Sequence, residues 1–234
     1  MQYRDPCVEI CIEGASSIFK VLSLSEKEML DQHHFVMNFK KGELILTEGS
    51  RPKGIICFVS GSAKLFSIGA GNREQIIKIL KPMDFVSFRT LFSDNPYPYS
   101  VEALEETSIV VFEKHAMSRI LRHNAELGIK FIKAVSEDLI FSNNRLISLT
   151  QKHVRARLAE SLLIIRDIYG FDTDGRTLKA LLSREDLAHL SNMTTSNAIR
   201  TLSGFADDNL IEVHGRRIVI LDLKKLEEIS ESGQ

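Results

Sequence analysis

The texture of the chain changes sharply near residue 113, and that change narrows the folds open to it. From Val36 to Phe112, short β-rich runs (residues 44–48, 54–61, 63–68, 75–80, 100–104 and 108–112) are separated by Gly, Pro, Asn and Asp. Such spacing predicts a small all-β barrel or sandwich. Gly69-Ala70-Gly71-Asn72 reads as a hairpin turn. Asn95-Pro96-Tyr97-Pro98-Tyr99 cannot be a central strand, because proline has no N–H to give to a ladder. Beyond residue 113 the apolar residues recur with the helical period instead. Ahead of the β-region, residues 18–34 read as a short helix entered through Ser25, with Glu28 completing a capping box.

Residues 114–122 suit a short helix and 124–149 a long, proline-free one. Within the latter, Ile132, Val135, Leu139, Ser142, Leu146 and Leu149 form a heptad seam. A second apolar row, Leu127, Phe131, Ala134 and Phe141, flanks it. One face could bury against the β-domain and the other against a twin; a wholly buried monomeric helix is the alternative.

The C-terminal part carries the sharpest local signal. Ser183, with Asp186 three residues on, caps a helix whose apolar face is Leu187, Ala188 and Leu190. Ser191-Asn192-Met193 breaks it, and Asn192 suits the left-handed conformation a tight turn needs. Thr194 then opens a second helix. With Ala198 on the core side, steps of about 100° per residue bring Leu202 and Phe205 inward and turn Ser196, Ile199, Arg200 and Ser203 outward. Leu210–Val213 and Ile218–Leu221 flank His214-Gly215-Arg216-Arg217, a hairpin with a basic tip. Helix, turn, helix and hairpin make a winged helix-turn-helix.

Composition excludes more than it identifies. Thirty Lys+Arg against 31 Asp+Glu give no polyanion-binding signal, and residues 152–234 alone hold 12 and 13. Three cysteines are too few for a secreted disulfide scaffold, which points to a reducing cytoplasm. No run approaches the ~20 apolar residues of a membrane span, so a soluble protein without a membrane partner is expected. No P-loop, G-x-S-x-G, H-E-x-x-H or Cys-x-x-Cys is present, which speaks against an enzyme. Glu105-Glu106 reads as a solvated pair.

Over about residues 18–225 the chain resembles the Crp/Fnr superfamily of bacterial transcription regulators. Lys41-Gly42-Glu43, Glu48-Gly49 and Val59-Ser60-Gly61 match the family's spaced turn glycines. Asp84-Phe85-Val86-Ser87-Phe88, Leu91-Phe92 and Ser100-Val101-Glu102-Ala103 match its phosphate cassette. Residues 124–149 match the dimer helix, and Leu182–Leu202 with Asp208-Asn209-Leu210-Ile211 match the helix-turn-helix and its exit. The resemblance implies an α+β fold: a cyclic-nucleotide-binding-like β-barrel of jelly-roll type, a long dimerisation helix and a winged helix-turn-helix. The corresponding divisions are a sensor domain 1–123, a dimerisation helix and hinge 124–150, and a DNA-binding domain 151–234. It further implies a homodimer on a palindromic site in double-stranded DNA, an unidentified small-molecule or redox effector, and RNA polymerase as a partner.

The departures from the family are informative. Cyclic-AMP-binding members supply a Gly-Glu pair and an Arg-Ser pair; here these align with Ser87-Phe88 and Tyr97-Pro98. Without the carboxylate and the guanidinium, burying a cyclic phosphate is costly, so cyclic AMP is not the expected ligand. Ser87, Phe88, Arg89, Tyr97 and Tyr99 remain as effector-pocket candidates, with plain core packing the alternative for the three aromatics. The family's reading pattern, Glu-x-x-(Ser or Gly)-Arg, aligns with Ser196-x-x-Ile199-Arg200 and keeps only the arginine. Thr195, Asn197, Arg216 and Arg217 are the expected phosphate contacts. Cys7 and Cys11 resemble the family's N-terminal iron–sulfur cysteines, but with Cys57 they are one thiolate short of four. Neither an iron–sulfur cluster nor haem is expected, nor a metal on His33-His34, since adjacent helical residues diverge. Two other readings stay open: a signal- or protein-binding module with a degenerate helix-turn-helix, and a redox sensor built on Cys7 and Cys11.

Overall fold

The computed structural model describes residues 3–93, 95–180 and 182–233, the side chains of residues 90–92 apart. Leu91 and Phe92, part of the cassette motif, therefore lie outside the described side chains. The chain divides into two compact units, residues 1–67 with 78–140, and residues 68–77 with 141–234.

The first unit is built on β-strands β1 (His34–Phe39), β2 (Leu44–Leu46), β3 (Gly54–Ser60), β4 (Ala63–Gly69), β5 (Arg73–Leu80), β6 (Phe85–Val86), β7 (Ser100–Ala103) and β8 (Thr107–Glu113). The tip of the β4–β5 hairpin belongs to the second unit. Two four-stranded sheets result, ordered β1-β8-β3-β6 and β2-β7-β4-β5. The roll is built as the β-rich runs predict, with β1 and β6 added to them. β3 and β8 read as continuous apolar runs because both of their faces are covered. Ile55, Cys57, Val110 and Phe112 point into a core shared with helices. Their neighbours Ile56, Ile109 and Val111 point the other way, into the interior of the roll.

The helical layer comprises α1 (Pro6–Glu13), α2 (Leu24–Gln32), α4 (Lys114–His123) and the first turns of α5 (Ala125–Gln151), with a short α3 (Phe88–Ser93) crossing between β6 and β7. Phe19 packs edge-on against Phe112 and Phe85, with centroids 5.1 and 5.4 Å away. Three local expectations are corrected here. The helix expected over 18–34 is a 3-10 turn, Ile18–Val21, followed by α2. Its capping box is Ser23 with Glu26, not Ser25 with Glu28, because extended, buried Leu22 separates the two pieces. The N-terminal stretch, given no structure by the sequence reading, is a helix whose N-cap is Asp5, with Pro6 at its first position. Asn124 breaks α4 from α5 and accepts from the backbone N–H of Leu127 at 2.8 Å.

The second unit contains the remainder of α5, then α6 (Val154–Tyr169), α7 (Arg184–Leu190), α8 (Thr195–Asp207), β9 (Ile211–His214), β10 (Arg217–Ile220) and α9 (Leu223–Ser232). α6 and α9, both absent from the sequence reading, pack on each other. Ser183 and Asp186 form the expected capping box of α7, and Asn192 adopts φ +49° in the turn. β9 and β10 pair antiparallel, with Arg217 opposite His214 across a two-residue tip. Gly215 takes φ +61° there, which a side chain would resist.

Candidate nucleic-acid interface and sensor cavity

α8 is divided lengthwise by its own period. Ala198, Leu202 and Phe205 are buried, whereas Ser196, Ile199, Arg200 and Ser203 are exposed, Ile199 to 49%. Thr194 caps the helix, its hydroxyl accepting from the N–H of Asn197 at 3.2 Å. Thr195 and Asn197 are half-buried in the first turn, and Arg216 and Arg217 are exposed on the hairpin.

Charge is distributed in a way the net count conceals. Arg145 donates to Glu160 at 3.2 Å and to the carbonyl of Leu190 at the end of α7. Arg157 donates to the carbonyl of Asn192 at 2.7 Å, and Arg184 to that of Gly215 in the hairpin tip at 2.5 Å. Arg155 pairs with Asp208 and lies over the ring of Phe205. Burial lowers the pKa of Arg145, Arg157 and Arg184, yet guanidinium groups stay charged. These arginines hold the helix-turn-helix together. By contrast, Arg200, Arg216 and Arg217 make no side-chain hydrogen bond or ion pair among the described residues. The sequence reading missed the structural arginines, since their partners lie up to 53 residues away.

In the β-roll, a cavity of about 240 Å³ is lined by residues of β1, β2, β3 and β8, by Tyr97, and at its edge by exposed Arg51 and Lys53. Of the five effector-pocket candidates, Tyr97 lines this space. Its hydroxyl donates to buried Ser87 at 2.8 Å, and Tyr99 packs beside it with ring centroids 5.9 Å apart. Burial raises both phenol pKa values, so both rings are neutral; the Ser87 hydroxyl opposes the shift at Tyr97. Phe88 points away, into the core against the helical layer. Arg89 is exposed and pairs with Asp138 of α5 at 3.1 Å. Arg51 and Lys53 carried no signal in the sequence, because they sit in a loop outside the cassette motif.

The cysteines are also arranged by tertiary contact. Cys11 of α1 and Cys57 of β3 are both buried, and their thiols are in hydrogen-bonding contact. That contact and burial raise the Cys57 pKa; burial, followed by Asp5, raises that of half-buried Cys7. Neither Cys7 nor Cys57 is a poised thiolate.

On α5 the seam residues Ile132, Leu139 and Leu146 are 67%, 59% and 62% exposed, and Val135 is also exposed. Ser142 and Leu149 are half-buried. Leu127 and Phe131 of the flanking row are buried in the core of the β-roll unit.

A β-roll followed by a winged helix-turn-helix defines a class of DNA-binding transcription regulators. Residues 36–124 match the family model of the cyclic nucleotide-binding domain, and residues 156–229 that of the Crp-like helix-turn-helix domain. The chain belongs to the Crp/Fnr family of transcription regulators. It is 23% identical over 217 residues to the CRP-like cAMP-activated global transcriptional regulator of Mycobacterium tuberculosis, covering 92% of this chain and 96% of that one. To the transcriptional activator protein anr of Pseudomonas aeruginosa it is 23% identical over 207 residues, covering 86% and 84%. The structure of FixK2 from Bradyrhizobium japonicum shares the fold with a TM-score of 0.75 at 19% identity, covering 84% and 96%. Among the described residues, no helix is long and apolar enough to cross a membrane.

Proposed function

We propose that this regulator acts as a homodimer on a roughly palindromic operator, with α8 in the major groove and the β9–β10 hairpin beside the backbone. The observation that carries this reading is the exposed set Ser196, Ile199, Arg200, Arg216 and Arg217, whose arginines are unspent while those behind them are consumed in the fold. An arginine in the major groove makes a bidentate contact to O6 and N7 of guanine, worth about 1–3 kcal/mol of discrimination. Ile199 offers an apolar surface to a thymine methyl. The operator therefore keeps one guanine per half but differs beside it from sites read with a glutamate. Thr195, Asn197, Arg216 and Arg217 hold phosphates and set register. Two mutants test these roles on specific and random duplexes. Arg200→Ala should flatten the preference between them, whereas Arg216→Ala should weaken both about equally and lower the salt dependence. An unchanged specificity ratio in Arg200→Ala would refute the reading role. A chain with no affinity for genomic fragments would instead be a signal-binding module.

The exposed α5 seam supports dimerisation, and the domain division at 123 and 150 follows from that role. Leu139→Glu places a carboxylate from each chain in the seam, where an unpaired buried charge costs several kcal/mol. Sedimentation should show a dimer for the natural chain and a monomer for the variant. Once bound, the dimer would alter transcription through RNA polymerase.

The signal is a ligand other than cyclic AMP. Where the cassette would hold a ribose and a phosphate, Tyr97 and Ser87 satisfy each other in a neutral pair. A ligand at ~100 times its dissociation constant stabilises by roughly 2.7 kcal/mol. Millimolar cyclic AMP should leave the melting temperature unchanged, and a clear rise would overturn this part of the proposal.

A further inference from the structure

The corner where α2 enters β1 meets the corner where β8 enters α4, and three ligating side chains converge there. Glu113 Oε2 lies 3.7 Å from Nδ1 of His33 and 3.1 Å from Nδ1 of His115. The two imidazoles stand edge to face with centroids 4.5 Å apart, and one ligand atom from each residue lies within 4.8 Å of the others. Bonds of about 2.0–2.1 Å around a tetrahedral ion set neighbouring donors roughly 3.4 Å apart. The two carboxylate distances bracket that value.

The backbone preorganises the group. The N–H of Glu113 donates to the carbonyl of His33 at 3.0 Å, next to the β1–β8 ladder. His33 ends α2, and His115 lies in the first turn of α4. Glu113 occupies the N-cap of α4, yet its carboxylate makes no capping hydrogen bond and turns to the imidazoles instead. His34 is excluded from the group, its Nδ1 being 2.9 Å from the carbonyl of Asp31. The adjacent pair in sequence thus does not chelate together; one member is recruited by residues 80 and 82 positions away.

We infer that His33, Glu113 and His115 form a binding site for a divalent transition-metal ion of the zinc type. Two imidazoles and one carboxylate suit zinc, nickel or copper better than magnesium or calcium, which prefer oxygen-rich shells. Glu113 and His115 also border a surface cleft of about 560 Å³ with Phe35, Lys53 and Lys114, from which a water would complete the tetrahedron. The bound ion would tie the end of α2, the end of β8 and the start of α4 into one unit.

Titration of the chelator-treated full chain with Co²⁺ and then Zn²⁺ tests the site. One equivalent of Co²⁺ should give the visible bands of a four-coordinate nitrogen–oxygen site, without thiolate charge-transfer absorption, and Zn²⁺ should displace it. Glu113→Gln and His115→Gln should each weaken Zn²⁺ binding by more than the ~10–100-fold caused by losing a ligand's hydrogen-bonding neighbour. His34→Gln and Cys7→Ser should leave the affinity unchanged. All these side chains are at least partly exposed, so circular dichroism should report intact folds. Unaltered affinity in both ligand variants would overturn the inference. So would a cobalt spectrum of thiolate type that disappears in Cys7→Ser.

Discussion

The β-roll and the winged helix face the same task, holding strand ends and turns in fixed places, and they use opposite chemistry. In the β-roll unit the work falls to apolar burial: Phe19, Phe85 and Phe112 interlock edge to face beneath the sheet. In the winged helix, Arg145, Arg157 and Arg184 reach across the fold to carbonyls at the helix end, in the turn and at the hairpin tip. The difference explains why charge counting is blind to this interface. Residues 152–234 are nearly neutral, yet three of the arginines left without an ion pair among the described residues, Arg200, Arg216 and Arg217, lie on α8 and the hairpin.

Paired substitutions sharpen this contrast. Phe19→Ala should cost about 3–5 kcal/mol of unfolding free energy, the usual range for deleting a buried aromatic, and the loss should not depend on salt. Arg145→Met should cost less, about 1–3 kcal/mol, because it leaves the Leu190 carbonyl without its donor. Glu160 keeps Lys152 at 3.2 Å. Denaturant melts at low and high salt measure both. Equal losses would mean that the two regions are held in the same way.

The smallest effect concerns the turn ahead of α7. Asp174 accepts from the N–H groups of Arg176 and Thr177 and from the Thr177 hydroxyl, bonds that lower its pKa to about 2. A carboxylate whose folded pKa lies below its unfolded one contributes stability that is complete above the unfolded value, about 3.9. That contribution is lost as pH falls towards 2. Asp174→Asn should therefore lower stability slightly at neutral pH and flatten the acid limb, the difference from the natural chain shrinking to nothing between about pH 4 and pH 2. An unchanged acid limb would remove Asp174 from the account.

How much of this could be read from residue order depends on the range of the interaction. The Ser183–Asp186 capping box, the left-handed Asn192, the split faces of α8 and the Gly215 tip all follow from residues within a few positions of one another. So do the β-runs and the two apolar rows of α5. The Ser25–Glu28 cap failed because Ser23–Glu26 offers the same local signature two residues earlier. Only the tertiary position of Leu22 chooses between them. The Asp5-Pro6 start of α1 was legible but overlooked.

Residue order by itself determined the two textures of the chain, the helix-turn-helix and the outward placement of Arg200, because capping, period and turn chemistry are local backbone physics. The tertiary structure alone decided which arginines are spent on carbonyls, that Cys11 meets Cys57, and that Tyr97 lines the cavity while Phe88 enters the core. It also brought His33 to Glu113 and His115. Each of these outcomes is a contact between residues distant in sequence, and such contacts exist only once strand register and helix packing have brought the two segments together.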